Sequence, residues 1–75
     1  MSILDLDKGE EAIISKITAP SELKQRLYSF GLSKNTKIAV DNFGLRKSTV
    51  QITVDRTCIA LRDDEAEQIL VERVA

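Results

Sequence analysis

Few residues in this chain could do chemistry, and their types decide what chemistry that would be. Histidine is absent and cysteine occurs once, at Cys58, which removes an imidazole base, a disulfide framework and a zinc ribbon together. Asp63, Asp64, Glu65 and Glu67 offer hard oxygen donors of the kind a ferrous or magnesium ion accepts. Consecutive acids on a helical turn point in different directions, however, and no second acidic cluster stands nearby in sequence. They read as capping charges at a helix start, not as metal ligands. Cys58, between Thr57 and Ile59 in a strand pattern, reads as a small packed apolar residue. Gly9, Gly31 and Gly44 stand too far apart to form a phosphate loop. The expectation is no catalysis, no metal, no cofactor and no tight binding of GTP by this chain itself.

What remains is contact chemistry. Phe43-Gly44-Leu45-Arg46-Lys47 sets two large apolar side chains beside two cations in a turn, where burial is hard to arrange. Aromatic and Arg side chains on a loop anchor partner surfaces. The competing reading is that Phe43 and Leu45 close an open end of the core while Arg46 and Lys47 solvate the turn. Lys24 and Tyr28 are i, i+4 neighbours on a helix, away from its apolar stripe, and form a second candidate contact surface. The candidate partner-binding residues are therefore Lys24, Tyr28, Phe43, Gly44, Leu45, Arg46 and Lys47.

These residues must be held by a small fold. The chain has 75 residues, 43 % hydrophobic and 31 % charged, with 11 Lys plus Arg against 12 Asp plus Glu. That suits one globular domain spanning residues 1 to 75, with a single core and little room for a deep substrate pocket. The balanced charge gives no field to attract a phosphate backbone, and Tyr28, Phe30 and Phe43 are its only aromatic residues, too few for a stacking platform, so no nucleic-acid partner is expected. No apolar run approaches the roughly 20 residues of a membrane span, and the acidic start MSILDLDKGEE lacks the basic flank of a signal peptide. A soluble cytoplasmic protein without direct membrane insertion is expected.

Period-two alternation predicts strands over Glu11 to Thr18, Thr36 to Phe43, Thr49 to Asp55, Thr57 to Arg62 and Ile69 to Val74. Ala12 and Ile14 share one face while Ile17 has the opposite parity, so a bulge is needed to bury all three. Leu23, Leu27 and Phe30, spaced i, i+4, i+7, predict a helix of about three turns from Pro20 onward. Ser21 is its expected N-cap, Glu22 and Arg26 its expected flanking pair, and Gly31 with Leu32 its expected end. Asp63 to Gln68 forms a short helical turn. A flat sheet of five such strands would expose two edges, whereas a strongly curved one protects them. The fold class is mainly β: an SH3-like small barrel of about five strands with an inserted helix. Strand edges leave weak self-association open.

With the elements placed, the residues resemble a family. L-x-x-G-x-x-A-x-I from Leu6 to Ile14, L-x-x-R-L-x-x-x-G-L from Leu23 to Leu32, and I-A-L-R from Ile59 with Ala66, Ile69 and Val71 are similar to the ferrous iron transport A (FeoA) family across nearly the whole chain. The resemblance implies an SH3-like barrel, found as a small cytoplasmic protein beside a membrane ferrous iron permease that carries a GTP-binding G-protein domain. It implies an accessory or regulatory role in iron uptake through binding that domain. The alternative is an SH3-like regulatory domain acting in trans with an iron- or manganese-dependent repressor. Two loops depart from the family pattern. Lys34-Asn35 stands where Pro-Gly is usual, and Phe43 to Ser48 replaces a P-L-G-D-P-like stretch. Asn tolerates the left-handed region, so the first turn should survive.

Overall fold

Alternating apolar residues build five antiparallel strands in the computed structural model, which describes residues 1–74. They are β1 (Glu11–Ile17), β2 (Lys37–Phe43), β3 (Thr49–Val54), β4 (Thr57–Arg62) and β5 (Ile69–Arg73), in the order β4-β3-β2-β1-β5. Two helices interrupt them: α1 (Ser21–Ser29) after β1, and α2 (Asp63–Ala66) between β4 and β5. The sheet curls so that Ala12, Ile14, Ile38, Val40, Val50, Ile52, Ile59, Leu61, Ile69 and Val71 all turn inward into one core. Registers across β3 make the layering explicit, since Ile52 lies opposite Val40 on one side and Ile59 on the other. The fold is the mainly β, SH3-like curled sheet expected from the alternation.

Bulges supply the curvature. The register of β1 against β5 shifts between Ile14 and Lys16, and this extra residue returns Ile17 to the core side despite its parity. A second shift, between Val40 and Asn42, bends β2 against β3. The outer flank of β5 is covered by the chain start: Ser2 bridges Leu70, and the Val71 amide donates to the Met1 carbonyl at 2.8 Å. That arrangement buries Ile3 and Leu6 completely. Neither residue carries a periodic signal, and their burial is imposed by a contact spanning almost the entire chain.

Helix α1 departs from its expected start. Pro20, not Ser21, is the N-cap: its ψ of 160° is extended, and its carbonyl accepts the first helical bond from Lys24 N at 2.8 Å. No side chain caps this end. The expected apolar stripe also stops early. Leu27 is fully buried and Leu23 packs at the core margin, but Phe30 is 38 % exposed. Phe30 is the C-cap, and the chain turns before its ring can reach the core. Leu32 fills the place instead: its amide donates to Leu27 O at 3.0 Å while Gly31 N donates to Tyr28 O at 2.9 Å, the paired bonds of a Schellman end. Gly31 sits at φ +91°, and a Cβ there would meet only Val54 Cγ1, at 3.9 Å. Gly31→Ala therefore tests backbone strain alone. It should cost about 1–2 kcal/mol, seen as a fall of roughly 5–15 °C in thermal midpoint. An unchanged midpoint would deny the left-handed cap.

Asn35 takes the left-handed turn at φ 73°, as expected for the residue in the Pro-Gly position. Its amide donates to Ile14 O at 2.7 Å, and Ile14 N donates to Thr36 O at 2.9 Å, which clamps the turn before β2 onto β1. Arg26 does not pair with Glu22. It reaches across to α2, where its Nη1 lies 3.2 Å from Glu65 Oε2, and its guanidinium lies 5.9 Å from the Phe30 ring centroid.

Candidate interaction surfaces

The hairpin between β2 and β3 is built to hold an unusual tip. Phe43 ends β2 and packs at the core margin. Gly44 follows in an extended conformation, and a Cβ on it would collide with the Thr49 hydroxyl, so any larger residue here must displace that side chain. Leu45–Lys47 form a tight, kinked turn in which Arg46 (φ 56°) and Lys47 (φ 57°) are both left-handed. Such conformations each cost a non-glycine residue about 1–2 kcal/mol, so the neighbours must impose them. They do so through Gly44 N to Thr49 O at 2.8 Å, Lys47 N to Gly44 O at 3.0 Å and Ser48 Oγ to Leu45 O at 2.8 Å. Ser48 O in turn accepts from Asp63 N at 3.0 Å, tying the tip to the start of α2.

The two apolar residues of this tip divide between the competing readings. Phe43 is half-buried, with Lys47 Nζ 4.8 Å from its ring centroid, and it closes one end of the core. Leu45 is 85 % exposed and closes nothing. Among the described residues, neither Arg46 nor Lys47 has a carboxylate within 4.0 Å. The result is an isolated apolar side chain on a braced loop, flanked by two unpaired cations.

Lys24 and Tyr28 lie elsewhere. They line a recess of about 300 Å³ together with Ser15, Lys16, Ile17 and Lys34. This recess sits by the turn leading into β2, whereas the hairpin follows its far end. Seven residues of strand at ~3.3 Å each put the two surfaces about 20 Å apart along β2. The sequence candidates are thus two separate surfaces. Ser15, Lys16, Ile17 and Lys34 were missed because no local pattern joins them; the parity break before Ile17 and the left-handed Asn35 were the only signals that these segments meet.

The chemistry-bearing side chains hold structural posts. Glu65 is buried: Oε1 accepts from Arg62 N at 3.0 Å, capping α2, while Oε2 takes the ion pair with Arg26. Among the described residues, no three His, Cys, Asp or Glu side chains gather where they could hold a metal ion. Cys58 is not a packed core residue. Ile59 and Leu61 take the inward positions of β4, so Cys58 is exposed on the outer face. There its Sγ lies 3.5 Å from Asp41 Oδ2, which also accepts from Thr53 Oγ1 at 2.6 Å. Lost hydration around the sulfur, the hydrogen bond to Asp41 and the charge of that carboxylate push the thiol pKa up. Since the thiolate is the reactive form, iodoacetamide should alkylate Cys58 more slowly than a free cysteine at mildly alkaline pH. Asp41→Asn should move the rate profile to lower pH; an unmoved profile would remove Asp41 from the explanation.

The FeoA domain model matches residues 1–73. This chain belongs to the FeoA family. A relative from Campylobacter jejuni, named as an Fe(2+) transport protein A, is 38 % identical over 74 residues, covering 99 % of this chain and all of the relative. The solution structure of the FeoA protein from Chlorobium tepidum superimposes with a TM-score of 0.93 at 25 % identity, covering 100 % of this chain and 71 % of that one. A manganese-dependent transcriptional repressor shares the FeoA fold, with a TM-score of 0.90 at 16 % identity, over 97 % of this chain and 40 % of the repressor.

Proposed function

We propose that this chain is an accessory protein of ferrous iron uptake, acting in the cytoplasm by binding the GTP-binding region of a membrane iron permease. The observation that carries the reading is the relative named for Fe(2+) transport, which this chain matches end to end. Transport needs a spanning element. Among the described residues, no helix is long and apolar enough to cross a membrane, and the strands turn their apolar faces inward, the reverse of a lipid-facing barrel. This build supports a role exerted through another protein. The Phe43–Lys47 hairpin supports that role because its braced backbone presents the exposed Leu45 at small backbone-ordering cost.

The repressor reading has the fold alone behind it. It requires a defined site for manganous or ferrous ion, which calorimetric titration of the purified domain would reveal. For the iron-uptake reading, deletion of the gene should lower ferrous iron uptake severalfold, with restoration by the parent chain and not by Leu45→Asp. Uptake unchanged by deletion would refute it.

A further inference from the structure

We propose that the recess between β1, α1 and the turn before β2 is a docking groove for an extended acidic segment of a protein partner. It lies away from the hairpin and stands whether or not the permease reading holds. The groove arises because β1 is paired unequally on its two flanks. Against β5 its pairing continues to Ile17, but against β2 it covers only Glu11 to Ile13, followed by the two bonds of Ile14 to Asn35 and Thr36. Beyond Ile14 no strand lies on the β2 flank. Helix α1 and the turn at Lys34 border the gap instead, leaving the recess of about 300 Å³.

Its lining has a single charge sign. Lys16, Lys24 and Lys34 come from three different elements, and no acid is among the lining residues. In a chain with net charge -1, three of its cations are thus gathered around one recess. Among the described residues, none of them has a carboxylate within 4.0 Å, whereas Lys37, Arg26 and Arg73 all do. Ser15, the half-exposed Tyr28 and the strand at Ile17, whose side chain is buried in the core, complete the lining.

This composition fits a peptide better than a small anion. Compact phosphate sites use converging backbone N–H groups, as in glycine-rich loops, and this recess contains no glycine. Lysines are mobile point charges that suit carboxylates spread along a chain. An extended segment laid beside Ser15 to Ile17 would add to the sheet at the flank β2 vacates. Its alternate side chains would face the groove about 7 Å apart, with acids toward the lysines and an apolar residue between them against the half-exposed Tyr28.

The test uses the full chain and a fluorescein-labelled Glu-Thr-Leu-Thr-Glu-Thr peptide, whose first, third and fifth side chains put acid, apolar and acid groups on one face, read by anisotropy and by amide chemical shifts. Saturable, salt-sensitive binding is expected, with shifts at Ser15 to Ile17, Lys24, Tyr28 and Lys34. Each single Lys→Gln change should weaken it about two- to fivefold, and the combined Lys16→Glu, Lys24→Glu, Lys34→Glu variant more than tenfold. These are surface changes, and an unchanged thermal midpoint will show that the variant folds. Tyr28→Ala provides a second, charge-independent readout and should also weaken binding. No saturable binding, binding indifferent to the lysines, or shifts confined to Phe43 to Lys47 would overturn the proposal. So would pyrophosphate competing as well as the peptide, or lysine-dependent binding to phosphatidylserine vesicles in place of the peptide.

Discussion

Ile52→Ala should lower stability by about 2–5 kcal/mol, the range for emptying a large aliphatic side chain from a packed core. The effect is large because of where Ile52 sits. It is fully buried in the middle strand of the β4-β3-β2 run, with Val40 and Ile59 directly beside it, so no mobile element can collapse into the space. Domains of this size sit toward the lower end of the usual 5–15 kcal/mol, and the thermal midpoint should fall by more than about 10 °C. Ile13→Ala supplies the contrast. Ile13 is 39 % exposed on the outer face of β1, and its truncation should cost less than about 1 kcal/mol. Urea or thermal denaturation separates the two. Equal costs would contradict the inward and outward assignment of the strands.

Leu45→Asp should have the opposite profile, leaving stability unchanged and removing partner binding. At 85 % exposure, Leu45 contributes almost nothing to the core, so the substitution should move the thermal midpoint little. Buried against a partner, a leucine side chain is worth about 1.5–3 kcal/mol, so affinity for the proposed GTP-binding partner should fall at least roughly tenfold. The aspartate would also offset one of the two positive charges of its neighbours Arg46 and Lys47. Phe43→Ala would not give so clean a result, because Phe43 packs at the core margin and its loss would weaken the fold and the hairpin together. A Leu45→Asp protein that binds as tightly as the parent would move the contact surface elsewhere.

Much of this architecture can be read from local pattern. Val50, Ile52 and Val54 alternate with Thr49, Gln51 and Thr53, and half-buried strands impose just that period. Likewise, Gly31 and Leu32 mark a helix end because the geometry of the cap fixes both residue types. Where burial depends on distant partners, local pattern fails. Ile3 and Leu6 are buried because the chain start pairs with β5, and nothing within MSILDLD shows it. Phe30 continues the helical spacing but loses its place to Leu32, which the turn folds back. Glu22 is the nearer partner for Arg26 in sequence, yet buried Glu65 is where a guanidinium is needed. At Cys58 strand parity overrides residue type: a lone cysteine in a strand suggests packing, but Ile59 and Leu61 hold the inward positions and leave it outside. The hairpin tip was visible as a composition, but its left-handed Arg46 and Lys47 were not, because only the bonds around Gly44, Ser48 and Thr49 stabilise them.

On the proposed reading, this chain acts by gripping another protein. The most direct test is calorimetric titration of the intact domain into the isolated cytoplasmic GTP-binding region of the permease, nucleotide-free, with GDP and with a non-hydrolysable GTP analogue. Saturable binding in at least one of these states, lost in Leu45→Asp, is the predicted result; no binding in any state would contradict the account.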